Sequence, residues 1–241
     1  MGAREILGVV RLPALLVLVL ASAAQARPRV VLDPGHGGSN AGAQGPGIHE
    51  KQLTLEIANL VAAHLRDHGI DVVLTRTIDK TLTLRQRTEV ADALPADLFV
   101  SIHANASPTR TQRGYETYVL TVKGVDVDAR ALRSDTTTPR PGVDPQIASV
   151  LDDIERGAAQ WDAAELAARV QHNLRDRRGP DGDRGVRQDA QHVLLGATMP
   201  AILVEVGFID HPVEGKQLTE APVQSQLATA IAQAIEDQLA D

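Results

Sequence analysis

The chain has 241 residues, 43% hydrophobic and 23% charged, with 24 Lys and Arg against 31 Asp and Glu for a net charge of −7. That length suits one domain of roughly 200 residues with a sizeable core, and the acidic balance excludes nucleic acid or an anionic membrane surface as the main partner, because phosphate recognition rests on clustered Lys and Arg. The single Trp, two Tyr and two Phe are too few for a base-stacking platform, and the absence of cysteine rules out disulfide frameworks, thiolate metal sites, cysteine nucleophiles and lipidation at an N-terminal cysteine.

Arg4 and Arg11 precede an apolar run from Leu12 to Ala21, and Ala24-Gln25-Ala26 fits a small-residue cleavage site. Residues 1–26 therefore read as an export signal peptide. The run is shorter than the roughly 20 apolar residues that a membrane span requires, so the expected product is an exported domain over 27–241 with no membrane span. Its first strand is predicted at Arg29 to Leu32, closed by Asp33-Pro34-Gly35. Leu53, Ile57, Leu60 and His64 recur at helical spacing before Gly69, and Ile70 to Thr75 reads as a second strand. Strand, helix, strand is a βαβ unit, which argues for a parallel or mixed sheet with helices on its faces.

A helix is predicted from Leu82 to Leu94, then an apolar strand from Asp97 to His103 and another strand from Tyr115 to Thr121. Periodicity is lost after Val122, and the stretch 122–157 reads as a surface excursion. Two amphipathic stripes, one of Ile147, Val150, Leu151 and Ile154 and one of Leu166, Val170 and Leu174, predict two helices separated near Gly157. Residues 175–185 read as a polar loop, and the apolar runs His192 to Leu195 and Ala201 to Val206 as the last strands. Val223, Leu227, Ile231, Ile235 and Leu239, each four apart, make a closing helix with one buried face. There is no internal repeat and no second domain.

Of the eight histidines, His64, His68, His172 and His192 have ordinary structural or solvated explanations. His36 and His103 differ, because each follows an apolar strand where the chain turns away. In open α/β sheets ligands sit outside the carboxyl ends of the strands, so two such histidines can converge. Gly35, Gly37 and Gly38 leave room around His36. Glu50 opens the first helix, where a carboxylate also serves as an ordinary cap; two imidazoles and a carboxylate would make the open three-ligand site of a catalytic zinc. Glu205 lies in the apolar strand AILVEVGF, where an ionised carboxylate is costly unless paired or catalytic. The readings open for it are a salt bridge to Arg76 or Arg87 and a general base.

The blocks VVLDPGHGGSNAGAQGPGIHEKQLTLEIA, LTLRQRTEVADALPADLFVSIHANAS and MPAILVEVGFIDHPVE together resemble the zinc-dependent N-acetylmuramoyl-L-alanine amidases of bacterial cell walls, over about residues 29–240. The resemblance implies an α/β fold, a three-layer α/β/α sandwich whose mixed, mostly parallel sheet has about six strands. It implies one Zn2+ held by His36, Glu50 and His103, with Glu205 as the catalytic glutamate, and hydrolysis of the amide joining N-acetylmuramic acid to L-alanine of the peptidoglycan stem. It also implies a periplasmic or wall-associated location, a monomer, and in some members a protein activator that relieves a helix occluding the zinc; QIASVLDDIERGAAQWDAAELAARVQ resembles that region. Asp92, Asp210 and His211 depart from the family's usual residues, which puts loop hydrogen bonding and substrate preference in question. Two other readings stand beside the amidase: a zinc peptidase acting within the stem peptide, and a non-catalytic wall-binding domain, which would be expected to lack one of the four residues. A serine hydrolase is disfavoured, since Ser101 lies near His103 but no nucleophile elbow surrounds any serine.

Overall fold

In the computed structural model, residues 27–120, 142–189 and 192–241 are described; the predicted signal peptide and the stretch 121–141 lie outside the described residues. Strands β1 (Arg29–Pro34), β4 (Asp71–Leu74), β5 (Leu98–Asn105), β6 (Tyr115–Leu120), β7 (Asp183–Asp189) and β8 (Ala201–Phe208) form one sheet in the order β4-β1-β5-β8-β6-β7. All neighbours are parallel except β6 and β8. A small hairpin, β2 (Gln44–Gly45) and β3 (Ile48–His49), leads into helix α1 (Glu50–Asp67).

The central strands read as nearly unbroken apolar runs because both of their faces are covered. Val30, Leu32, Val100, Ile102, Ile202 and Val204 pack in the larger core, under α1, the long helix α3 (Pro145–Arg178) and the closing helix α5 (Ala221–Ala240), which follows the one-turn helix α4 (Glu214–Gln217). Val31, Phe99, Ala201 and Leu203 point to the opposite face, covered by α2 (Leu84–Asp92) and a short 3-10 turn at His192–Leu194. The result is the three-layer sandwich with a mixed, mostly parallel six-stranded sheet that the resemblance implies. Helix α1 buries Leu53, Ile57, Val61 and Leu65 along one stripe. It ends where Gly69 takes φ +80°, the left-handed conformation that stops a helix without a Cβ penalty.

Three expectations are corrected. The two helices separated near Gly157 are one 34-residue helix, α3, because a helical glycine costs only about 1 kcal/mol relative to alanine and does not by itself end a helix. The run at His192–Leu194 is a 3-10 turn whose Val193 and Leu194 fill the second core, not a strand. The strand in its place is β7, beginning at Asp183 inside the expected polar loop. Its polar side chains suit an edge strand that pairs only with β6.

Candidate metal centre and active site

Strands β1 and β5 run parallel with Pro34 beside Ile102, so the chain leaves both at the same edge of the sheet. Gly35 N donates to Ile102 O at 2.9 Å and carries the turn across the His103 ring. A Cβ on Gly35 would lie 2.6 Å from His103 Nε2, so only glycine fits there. His36 follows with φ +59°, an uncommon conformation for a residue with a side chain. It is held by paired backbone hydrogen bonds between Gly37 and Asn40 and by Arg87 Nη2, which donates to His36 O at 2.7 Å.

His36 Nε2 and His103 Nδ1 each lie 3.0 Å from the same oxygen, Glu50 Oε1, and the two rings meet edge to face with centroids 4.9 Å apart. His36 Nδ1 is 2.9 Å from Asn40 Oδ1. An amide oxygen can only accept, so Nδ1 carries the proton there, which leaves Nε2 to meet Glu50 either as the second N–H of an imidazolium or as a metal ligand. Glu50 itself is fixed by Ala104 N, which donates to Oε1 at 3.1 Å, and Ala43 N, which donates to Oε2 at 2.8 Å. Gly42 makes room for both: a Cβ there would come within 2.6 Å of Glu50 Oε2 and 2.7 Å of His36 Cδ2.

Burial pushes the Glu50 carboxyl up, but its hydrogen bonds to His103 and His36 outweigh that and hold it well below the usual carboxylate range. Burial pushes the His36 imidazole down, and the hydrogen bond to Glu50 more than compensates, so its pKa is raised. Two imidazole nitrogens converge on one ionised carboxylate oxygen, in a cradle that added methyl groups would fill. That donor set fits a divalent transition metal.

Glu205 stands next in the sheet. The register sets His103 beside Glu205, and Glu205 beside Glu116 of β6, so the three occupy one row across β5, β8 and β6. Glu205 Oε2 is buried and has no hydrogen-bond partner. Burial pushes this carboxyl well above its ordinary value, and the negative charges of Glu50 and Glu116 push the same way. A buried carboxyl of raised pKa, one strand from a metal-ligand set, is the arrangement general acid–base chemistry uses.

The arginine pairing considered for Glu205 is not what forms. Arg87 Nη1 donates to Asp33 Oδ1 at 2.7 Å and to Pro34 O at 2.9 Å. Arg76 Nε donates to Pro34 O at 2.9 Å and its Nη2 to Gly35 O at 2.8 Å. Asp33, fully buried, also accepts from Ser101 Oγ at 2.8 Å and Thr75 Oγ1 at 2.6 Å. This network under the His36 turn escaped the sequence reading, as did Asn40; the available signal was an acidic residue closing an otherwise apolar strand. The departures from the family pattern find partners as well. Asp92 Oδ1 accepts from Thr198 N and Oγ1 at 3.2 and 3.0 Å, Asp210 Oδ2 from Ser107 N at 3.0 Å, and His211 Nδ1 from Glu214 N at 3.0 Å. A cavity of about 360 Å³ opens between the β2–β3 hairpin and the loop after β8, lined by Gln44, Pro46, Arg110 and Asp210 among others.

A three-layer α/β fold that gathers a His-Glu-His donor set and a buried, unpartnered glutamate oxygen at one side of the sheet has the parts of a hydrolase site. Residues 30–237 match the N-acetylmuramoyl-L-alanine amidase family. The chain is 34% identical over 215 residues to the amidase AmiA of Escherichia coli, covering 86% of this chain and 74% of that one. It is 33% identical to AmiC of Neisseria meningitidis, covering 87% of this chain and 52% of the relative. Among solved structures, the amidase AmiC2 of Nostoc punctiforme superposes with a TM-score of 0.67 at 31% identity, covering 89% of this chain and 98% of that one, and an amidase from Clostridium difficile with 0.70 at 30%, covering 89% and 98%. The chain belongs to the N-acetylmuramoyl-L-alanine amidase family. It is accordingly an enzyme of that class, a hydrolase of peptidoglycan, which sets aside the reading as a non-catalytic wall-binding domain.

Proposed function

We propose that the chain cleaves the amide between N-acetylmuramic acid and L-alanine with a single catalytic zinc held by His36, Glu50 and His103, and with Glu205 as general base and acid. The observation that carries the proposal is the convergence of both imidazole nitrogens on Glu50 Oε1 at 3.0 Å, one strand away from an unpartnered Glu205 Oε2. Zinc, when bound, polarises a carbonyl and lowers the pKa of a water to about 7. The chain's own residues do the rest. Asn40 holds His36 in the tautomer that presents Nε2, and the backbone N–H groups of Ala43 and Ala104 fix the two oxygens of Glu50. Glu205 takes the proton of the attacking water and returns it to the amine nitrogen of the departing L-alanine.

The four side chains meet within one chain, so the proposed site needs no second copy to be complete. Among the described residues no helix is long and apolar enough to cross a membrane. The first 26 residues, with Arg4 and Arg11, an apolar run and a small-residue cleavage site, support export to the periplasm or cell wall. An activator protein remains part of the proposal through the resemblance alone.

Digestion of purified peptidoglycan with residues 27–241, followed by mass spectrometry, tests the reading. Stem peptides with a free L-alanine amine, lost with chelator and restored by Zn2+, are expected; cleavage between amino acids would replace the amidase by a peptidase. Glu205→Ala is expected to keep zinc and lose about 10² to 10⁴-fold in rate, the usual scale for a general base. Loss of zinc from that variant would make Glu205 a ligand instead.

A further inference from the structure

At the far end of α1, a second set of side chains repeats the donor arrangement of the first. His64 lies in the last turn of α1 and His68 caps that helix four residues on, with rings stacked at a centroid distance of 4.7 Å. Glu236 reaches them from α5: its Oε1 is 3.1 Å from His64 Nε2 and 3.2 Å from His68 Nδ1. As at the first centre, two imidazole nitrogens and one carboxylate oxygen lie close enough to share an ion. We propose that His64, His68 and Glu236 form a second divalent transition-metal site, which clips the last turn of α1 to α5.

Three observations carry this. Glu236 Oε1 is buried and, despite two nitrogens at about ligand-pair distance, has no hydrogen-bond partner. A buried carboxylate oxygen without a partner is costly, and a cation between it and the imidazoles removes that cost. Second, His64 in the last helical turn and His68 at the cap stack their rings on one side of the helix end, which presets two of the three ligands. Third, two imidazoles with one carboxylate favour zinc, nickel or copper over magnesium or calcium, which take oxygen ligands. His68 Nδ1 also lies 2.8 Å from His64 O. At that distance Nδ1–H donates to the carbonyl, so ligation needs the His68 proton on Nε2 and Nδ1 turned off His64 O, a rotation open to a side chain 55% exposed, with water taking over the carbonyl.

The two centres are separate. Glu50 and His64 are fourteen residues apart on one helix, about 21 Å along its axis at 1.5 Å per residue, so neither can share the other's ion. The second site is more open and is built on the α1–α5 contact, away from the strand ends. Its chemistry is therefore structural: an ion bound there adds a cross-link between helices and leaves hydrolysis to the first centre.

Equilibrium dialysis against Zn2+ with metal analysis tests this in residues 27–241. About two equivalents are expected for the unaltered chain, and about one for His64→Ala and for Glu236→Gln, each with amidase activity retained. The double variant His36→Ala with His103→Ala should keep one ion, and that ion should vanish on adding His64→Ala. In thermal melts, zinc added beyond the first equivalent should raise Tm in the unaltered chain and leave His64→Ala unmoved, since only binding to the folded state stabilises it. A single equivalent that survives His64→Ala, or two that survive His64→Ala and Glu236→Gln alike, overturns the proposal. Because the readout is metal content and Tm, its failure is distinct from failure of the amidase reading.

Discussion

Glu205 does its proposed work only when ionised, and its neighbours oppose ionisation. Glu116, 3% exposed, sits beside it in the sheet and is itself balanced by Arg184 Nε at 2.9 Å from Oε2 and Asn105 Nδ2 at 2.8 Å from Oε1. The Tyr118 hydroxyl, pushed up to about 12 by burial and by Glu116, keeps its proton and donates to that carboxylate. Replacing Glu116 by Gln removes a negative charge facing Glu205 and leaves the Arg184 charge unbalanced. Both changes favour the ionised form, so the Glu205 pKa falls. Activity that needs the base form rises with pH through that pKa, so the acid limb of the kcat/KM profile should move to lower pH in Glu116→Gln; an unmoved limb would show that Glu116 does not act on Glu205. Gly35 acts by size. Gly35→Ala drives a methyl into the His103 ring, and zinc affinity should fall by about 10 to 100-fold, the scale seen when a ligand loses its orienting shell, measurable by competition with a chromophoric chelator. Asp33→Ala should cost about 3–5 kcal/mol in urea unfolding, because it strips the buried Arg87 of its carboxylate.

The elements explain what could be read beforehand and what could not. His36, His103 and Glu205 were legible because each sits where an apolar pattern stops or is interrupted, and strand ends are where α/β sheets gather ligands; Glu50, which alone reads as a helix cap, became a candidate only as the carboxylate that two imidazoles call for and through the resemblance. Asp33 was not, and Arg76 and Arg87 were considered only as partners of Glu205, since a charge next to a turn or on a short helix looks the same in sequence whichever partner it meets. Strand β7 was missed because an edge strand needs no apolar alternation when its pairing is supplied by β6. Helix α3 was split in two because its two stripes belong to different environments. Leu166, Val170 and Leu174 are fully buried in the core, whereas Ile147, Ile154 and Trp161, spaced by seven, stand exposed at 57%, 62% and 79%. Stability should follow that division: Leu174→Ala should cost about 2–5 kcal/mol, while Trp161→Ala, though it removes the largest side chain, should stay within about 0.5 kcal/mol. A large loss for Trp161→Ala in denaturant titration would mean that its end of α3 packs on something in the folded chain.

At the scale of the whole molecule, the core and the candidate centre are built from different parts of the same strands. The buried residues of β1, β5 and β8 make the sandwich, and the imidazoles that reach Glu50 come from the carboxyl side of the sheet, His36 just past the end of β1 and His103 in the last residues of β5. Two apolar layers flank the sheet without any contribution from the ligands, so the fold does not depend on a metal as small zinc modules do. Without an ion, the raised pKa of His36 lets a proton bridge Nε2 and Glu50 Oε1, and the cluster remains paired. Chelation should therefore abolish hydrolysis while leaving the far-ultraviolet circular dichroism and cooperative unfolding intact. An ion at about 1,000 times its Kd contributes about 4 kcal/mol to the folded state. In a domain of this size each kcal/mol moves Tm by about 2–4 °C, so stripping the metal should lower Tm by about 10 °C, and Zn2+ should restore both Tm and activity. Unfolding on chelation at room temperature would mean instead that the ligand loops hold the strand ends together, and that the sandwich cannot close without them.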